Sequence, residues 1–173
     1  VTVIDSANLS TGIGLLVIEA AEMAQQGKSA AEITARIEEL KPLVRASFVV
    51  DTLTYLYRGG RCSGLAALAG GALKLHPRIG VEDGKMGPGK KYRGNMEKVV
   101  LSYVKDMEEA MKNARPERVF ITHSGSAPEI VDKVRAYLND LHVFREILET
   151  RAGGVVSSHC GPGTLGVLFI AKE

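Results

Sequence analysis

The chain has 173 residues, of which 45% are hydrophobic and 24% are charged, enough to bury a core of ordinary size as one domain or two small ones. Its formal net charge is only +2, and the basic residues are spread along the chain, so no nucleic-acid partner is predicted. No apolar run approaches the roughly 20 residues that a membrane-spanning helix needs, so no integral membrane segment is predicted.

The cysteines and histidines do not follow a metal-binding or disulfide pattern. Cys62 and Cys160 are far apart in the sequence, and His159 beside Cys160 has no second pair of ligands to accompany it. We therefore predict no metal site and no cofactor. Unpaired cysteines suit a reducing compartment, which favours a cytoplasmic location.

The first half of the chain alternates apolar strands with amphipathic helices. The predicted elements are a strand at 1–5, helices at 11–26 and 30–42, a strand at 46–51 and a short helix at 53–58. Ser29-Ala-Ala-Glu32 is a capping box that begins the second helix. No initiator Met precedes the first strand, so we expect the sequence to begin inside a longer protein. The alternation is typical of a parallel α/β layer.

The second half, from about residue 76, has the pattern of a mainly antiparallel sheet with helices on one face. Asp83-Gly84 predicts a tight hairpin turn, and Gly87-Pro-Gly89 is expected to interrupt the returning strand. The other predicted elements are helices at 96–113 and 127–141 and strands at 118–122, 144–149 and 165–171. We thus predict an α/β protein in which residues 1–75 are the C-terminal remainder of a parallel α/β domain. Residues 76–173 would form an α+β domain.

Arg58-Gly-Gly-Arg61 is the first candidate for a binding segment. It follows the short helix, and its second arginine precedes an apolar stretch at 65–68. A guanidinium in apolar surroundings needs an anion or carbonyl groups as partners. The alternative is that Gly59-Gly60 only caps the helix and that Arg61 lies on the surface.

Ser157-Ser-His159-Cys-Gly-Pro-Gly163 is the second candidate. Its glycines and proline predict a constrained turn, and His159 could donate a hydrogen bond to a carboxylate there. The alternative is a structural histidine at the end of a strand. Neither segment supplies a nucleophile with its base and orienting acid, so no catalytic residue is assigned.

Five segments, in the same order along the chain, resemble the DegV family. They are Val3-Ile-Asp-Ser6 with Gly12-Ile-Gly14, residues 48–61, Lys74-Leu-His-Pro77 with Asp83-Gly84, Lys91-Tyr-Arg-Gly94, and residues 159–166. The resemblance implies a carrier that holds a long-chain fatty acid between two domains and is not itself an enzyme. It also implies that the carrier is the binding subunit of a bacterial fatty acid kinase. In that system a separate kinase subunit forms acyl phosphate from ATP.

The resemblance assigns roles to three residues. Arg61 and His159 match the arginine and histidine that support the fatty-acid head group, and Arg93 matches a surface residue associated with engagement of the kinase. The family's carboxylate-binding threonine and serine belong to a stretch that would precede Val1. We therefore expect an incomplete head-group site in this chain.

Aliphatic side chains are needed to line an acyl-chain tunnel. The candidates are Leu15, Leu16, Leu65, Leu68 and Leu73. Burial of an acyl chain contributes about 0.8 kcal/mol per CH₂, so a sparse polar site suffices for binding. The alternative for each leucine is a place in the ordinary hydrophobic core.

Two other functions remain open. The first is a truncated protein-interaction module, for which Arg93 would matter and Arg61 would not. The second is an enzyme, because DegV proteins resemble subunits of dihydroxyacetone kinase in fold. In that case His159 would hold a small carbonyl compound covalently.

Overall fold

The computed structural model describes residues 1–61 and 75–172. The helices are α1 (Thr11–Gln25), α2 (Ala30–Leu40), α3 (Thr54–Arg58), α4 (Met96–Asp106), α5 (Glu108–Lys112), α6 (Pro128–Asp140) and α7 (Gly154–Cys160). The strands are β1 (Val44–Val49), β2 (Leu75–Glu82), β3 (Lys85–Arg93), β4 (Ala114–Ser124), β5 (Glu146–Arg151) and β6 (Thr164–Ala171). Among these residues no helix is long and apolar enough to cross a membrane.

The six strands form one mixed sheet in the order β3-β2-β1-β6-β4-β5. Neighbouring strands are antiparallel except for β4 and β5, which are parallel. The predicted α/β class with a mainly antiparallel sheet is therefore confirmed. The sheet is continuous across residue 75, because β1 is hydrogen bonded on its two edges to β2 and β6.

The direction of β1 differs from the parallel layer expected for the first half of the chain. All of its residues except Arg45 are buried. A central antiparallel strand that is covered on both faces has the same unbroken apolar pattern as a parallel strand. The sequence pattern therefore identified the strand but could not identify its neighbours.

Helices cover both faces of the sheet, and the two helices predicted for the second half, at 96–113 and 127–141, lie on one of these faces as expected. α1 and α2 pack on one side of β1, against side chains such as Val44 and Ala46. α4, α5 and α6 pack on the other side, in a core that contains Val49 and Tyr103. Successive side chains of a strand point to opposite faces, so β1 supplies both cores.

Three local predictions need correction. Val1 and Val3 are exposed, and residues 1–5 form no strand because no described strand offers them hydrogen-bond partners. The helix predicted at 96–113 is divided into α4 and α5 at Met107. Gly87-Pro-Gly89 does not end β3, which continues as an edge strand to Arg93, but the register shifts there. Pro88 lies opposite Ile79 and Lys91 opposite Pro77, so two residues of β3 face one of β2.

The hydroxyl of Tyr103 joins the two central strands inside the sheet. It donates to the carbonyl of Ser47 at 2.7 Å and accepts from the amide of Val167 at 3.0 Å. Ser47 and Val167 are register partners on β1 and β6. Burial raises the pKa of Tyr103, so the hydroxyl keeps its proton and remains a donor.

Replacement of Tyr103 by Phe should lower the free energy of unfolding by about 1–3 kcal/mol, because the buried carbonyl and amide lose this partner. Urea unfolding followed by circular dichroism measures the difference. Tyr57→Phe is the matched control, since Tyr57 is 61% exposed on α3. Equal unfolding midpoints for the two variants would contradict the bridging role.

Candidate functional site

The C-terminal end of α3 presents Arg61 to the surface. Gly60 adopts the left-handed conformation with φ +70°, and its amide donates to the carbonyl of Tyr57. The amide of Arg61 donates to the carbonyl of Leu56, which completes a Schellman motif. The expected alternative, a glycine cap followed by a surface arginine, therefore describes the local structure.

Among the described residues, the guanidinium of Arg61 is hydrogen bonded to a backbone carbonyl. Its Nη1 donates to the carbonyl of Gly59 at 2.7 Å, and the residue is exposed. Its remaining N–H groups make no hydrogen bond to another described residue. Cys62 and the apolar stretch at 65–68 lie outside the described residues.

His159 lies in the last turn of α7, where a constrained turn was predicted for 157–163. The irregular backbone begins only at Gly161, with φ +80°, and continues to Gly163, with φ +76°. The glycines and proline therefore end a helix instead of replacing it. The ring of His159 is partly buried and makes no hydrogen bond to another residue that the structure describes.

Gly59 brings the two candidate residues together. A Cβ atom built on Gly59 would lie only 2.2 Å from Nδ1 of His159, so the ring rests directly on this backbone. The carbonyl of the same glycine holds Arg61. Arg61 and His159 are 98 positions apart in the sequence but lie on adjoining segments of α3 and α7.

Arg93 lies apart from this pair, at the exposed end of the edge strand β3. The carbonyl of the next residue, Gly94, is 3.1 Å from Nε2 of buried His76. Nδ1 of His76 is 3.2 Å from the carbonyl of Val50, which follows β1. The backbone beside Arg93 is thereby fixed to the segment that leads into α3.

A cavity of about 30 Å³ lies beneath α7. Its walls include Phe48, Val156 and Cys160, with hydroxyl groups from β4 at one side. Burial raises the pKa of Cys160 to about 11, so its thiol remains protonated near neutral pH. Apolar and hydroxyl-bearing side chains therefore line this cavity together.

The predicted tunnel leucines divide into two groups. Leu15 and Leu16 are buried between α1, α2 and the sheet, as the core alternative expected. Leu65, Leu68 and Leu73 lie outside the described residues. The part of the chain that the structure describes also contains no group of three or more side chains able to hold a metal ion.

Sequence reasoning missed the contribution of two residues to this site. Tyr55 packs on Gly161, and the hydroxyl of Ser124 donates to the Gly161 carbonyl at 2.7 Å. The Gly-Pro-Gly segment signalled an unusual backbone but not what it contacts. Ser124 belongs to no pattern that distinguishes it from ordinary core, and Tyr55 lies in the family-like segment 48–61 without a role being assigned to it.

Comparisons of the sequence with a family model and with known proteins identify the same family. The family model described as "Uncharacterised protein, DegV family" matches residues 1–172. A DegV domain-containing protein of Deinococcus radiodurans is 34% identical over 167 residues, which is 96% of this chain and 59% of that protein. A second, from Caldanaerobacter subterraneus, is 33% identical over 99% of this chain and 61% of its own length. The chain thus spans about three fifths of these relatives.

Solved structures of the same family have the same fold. A DegV family protein from Thermus thermophilus, described by its fatty acid binding, has a TM-score of 0.87 and 29% identity. The match covers 99% of this chain and 61% of that one. DegV of Bacillus subtilis, described as a fatty acid binding protein, has a TM-score of 0.78 and 29% identity, over 98% and 60% of the two chains. On its sequence and its fold, this chain belongs to the DegV family.

Proposed function

We propose that the chain carries one side of a fatty-acid head-group site, formed by Arg61 and His159, and that its protein is a lipid carrier. The contact of Gly59 with the ring of His159 carries this proposal, because it brings the two side chains to one place. Two DegV proteins with the same fold are described as fatty acid binding, which supports the ligand class.

The chemistry of the pair suits a carboxylate. Arg61 is exposed and retains N–H donors that no described residue uses, and His159 can donate from a ring nitrogen. Hydrogen bonds from a charged guanidinium to a carboxylate are among the stronger ones in proteins.

The proposal extends to a partner. The carrier would present the carboxylate to a separate kinase subunit, which transfers the terminal phosphoryl group of ATP to a carboxylate oxygen and releases ADP. Arg93 suits contact with that partner because it is exposed at the end of an edge strand and has no ion-pair partner among the described residues. No residue of this chain is assigned a catalytic role.

Arg61→Ala and His159→Ala should each weaken palmitate binding about tenfold, as expected for loss of one hydrogen bond to a charged group. Isothermal titration of the protein at its natural length measures the affinity, and native mass spectrometry shows what co-purifies. Arg58→Ala is the matched control, because Arg58 is exposed on the same helix. Unchanged affinity in both site variants would remove the pair from the site. A hydroxyacetone adduct on His159 would instead support the enzyme alternative.

Gly59→Ala should displace the His159 ring without unfolding the protein. The backbone of Gly59, with φ −77° and ψ −1°, accepts a side chain, so the 2.2 Å contact is the obstacle. Palmitate affinity should fall as far as in His159→Ala. Gly154→Ala is the control, since a Cβ there meets nothing within 4 Å. Wild-type affinity in Gly59→Ala would show that the ring position does not matter.

Arg93→Glu should leave palmitate affinity unchanged and reduce acyl phosphate formation at least tenfold, because it reverses a charge at the proposed partner surface. The assay combines palmitate-loaded protein, ATP and the fatty acid kinase subunit of the same bacterium. Lys85→Glu, at the other end of the same strand, controls for net charge. Full activity of Arg93→Glu would exclude Arg93 from the interface.

A further inference from the structure

A second contact between a ring and a glycine also joins α3 to α7, but here the ring belongs to α3 and the glycine follows α7. A Cβ atom on Gly161 would lie 2.3 Å from Cδ2 of Tyr55, just as a Cβ on Gly59 would meet His159. Each segment therefore contributes one ring and receives the other. Tyr55 and Gly59 are four residues apart, about one helical turn, while His159 and Gly161 are two apart.

Gly161 is fixed from several directions besides Tyr55. Its carbonyl accepts from the hydroxyl of Ser124 at 2.7 Å, and its amide donates to the carbonyl of Ser157 at 2.8 Å. The carbonyl of Cys160 accepts from the hydroxyl of Thr164 at 2.9 Å. The end of α7 is thus anchored to β4 and β6, and the ring of Tyr55 on α3 meets this anchored backbone.

We propose that Tyr55 is a positioning residue for His159. Its ring, resting on Gly161, sets how closely α3 approaches the end of α7, and so holds the His159 ring on Gly59 beside Arg61. This inference rests on the proposed head-group site, which it deepens. The contact is made by ring carbons, so the flat ring matters rather than the hydroxyl.

The test compares Tyr55→Phe, Tyr55→Leu and the matched control Tyr57→Leu, which changes an exposed tyrosine of the same helix. Palmitate affinity is measured by titration, and the Cε1–H signal of His159 is followed by NMR in the same samples without lipid. We expect Tyr55→Phe and Tyr57→Leu to match the wild type. Tyr55→Leu should bind palmitate roughly tenfold more weakly, with a shifted or broadened His159 signal.

The outcomes separate the positioning role of Tyr55 from the proposed function. An unchanged His159 signal in Tyr55→Leu overturns the inference, whether or not palmitate affinity falls, because Tyr55 then does not act through His159. If the wild type binds no palmitate, the proposed function fails, and the His159 signal alone decides the positioning role. If circular dichroism shows that Tyr55→Leu is unfolded, Tyr55→Met, which is of similar bulk but not flat, takes its place with the same expectations.

Discussion

The antiparallel register of β1 against β6 determines where the candidate site can form. Val49 at the end of β1 lies opposite Leu165 near the start of β6. The chain leaves β1 into α3 and arrives at β6 from α7, so these two short helices must meet at the same end of the sheet. The contacts of Gly59 with His159 and of Gly161 with Tyr55 follow from that pairing.

That register is itself narrowly constrained. A Cβ on Gly166 would lie 2.7 Å from the carbonyl of Ser47, so β6 can pass β1 this closely only with glycine there. The hydroxyl of Tyr103 on α4 bonds to the same Ser47 carbonyl and to the amide of Val167, the residue after Gly166. A shift of the β1–β6 register by one residue would remove the close approach at Gly166 and the hydrogen bonds of Tyr103. It would also turn the buried face of the shifted strand outward. Packing at the centre of the sheet therefore fixes the geometry at its end.

Local features of the sequence were predictable wherever a short-range rule acts. Ser29 and Glu32 form both hydrogen bonds of the expected capping box, and Asp83-Gly84 makes the expected hairpin turn. The direction of β1 was not predictable, because burial on both faces leaves the same pattern in either kind of sheet. α7 was not predicted because a helix of seven residues has little helical periodicity, and the Gly-Pro-Gly segment that follows it predicted a turn instead.

For the site as well, the sequence indicated individual residues but not the long-range contacts between them. Arg61 and His159 were candidates because of the glycine-containing segments in which they stand, and the family resemblance supplied their head-group roles. What the sequence could not supply is that Gly59 faces His159, since the contact joins segments about 100 residues apart and exists only through strand pairing. Tyr55 lies in the family-like segment 48–61, but its contact with Gly161 could not be predicted for the same reason.

Polar and apolar surface lie side by side at this end of the fold, which is why an amphipathic ligand suits it. Arg61 and His159 have hydrogen-bonding capacity that the described residues do not use. On α7, four residues before His159, Val155 is 75% exposed. An exposed aliphatic side chain gains from burial, while a guanidinium and an imidazole gain from an anion. A fatty acid offers both in one molecule, with its carboxylate for the charged pair and its hydrocarbon for the apolar surface beside it.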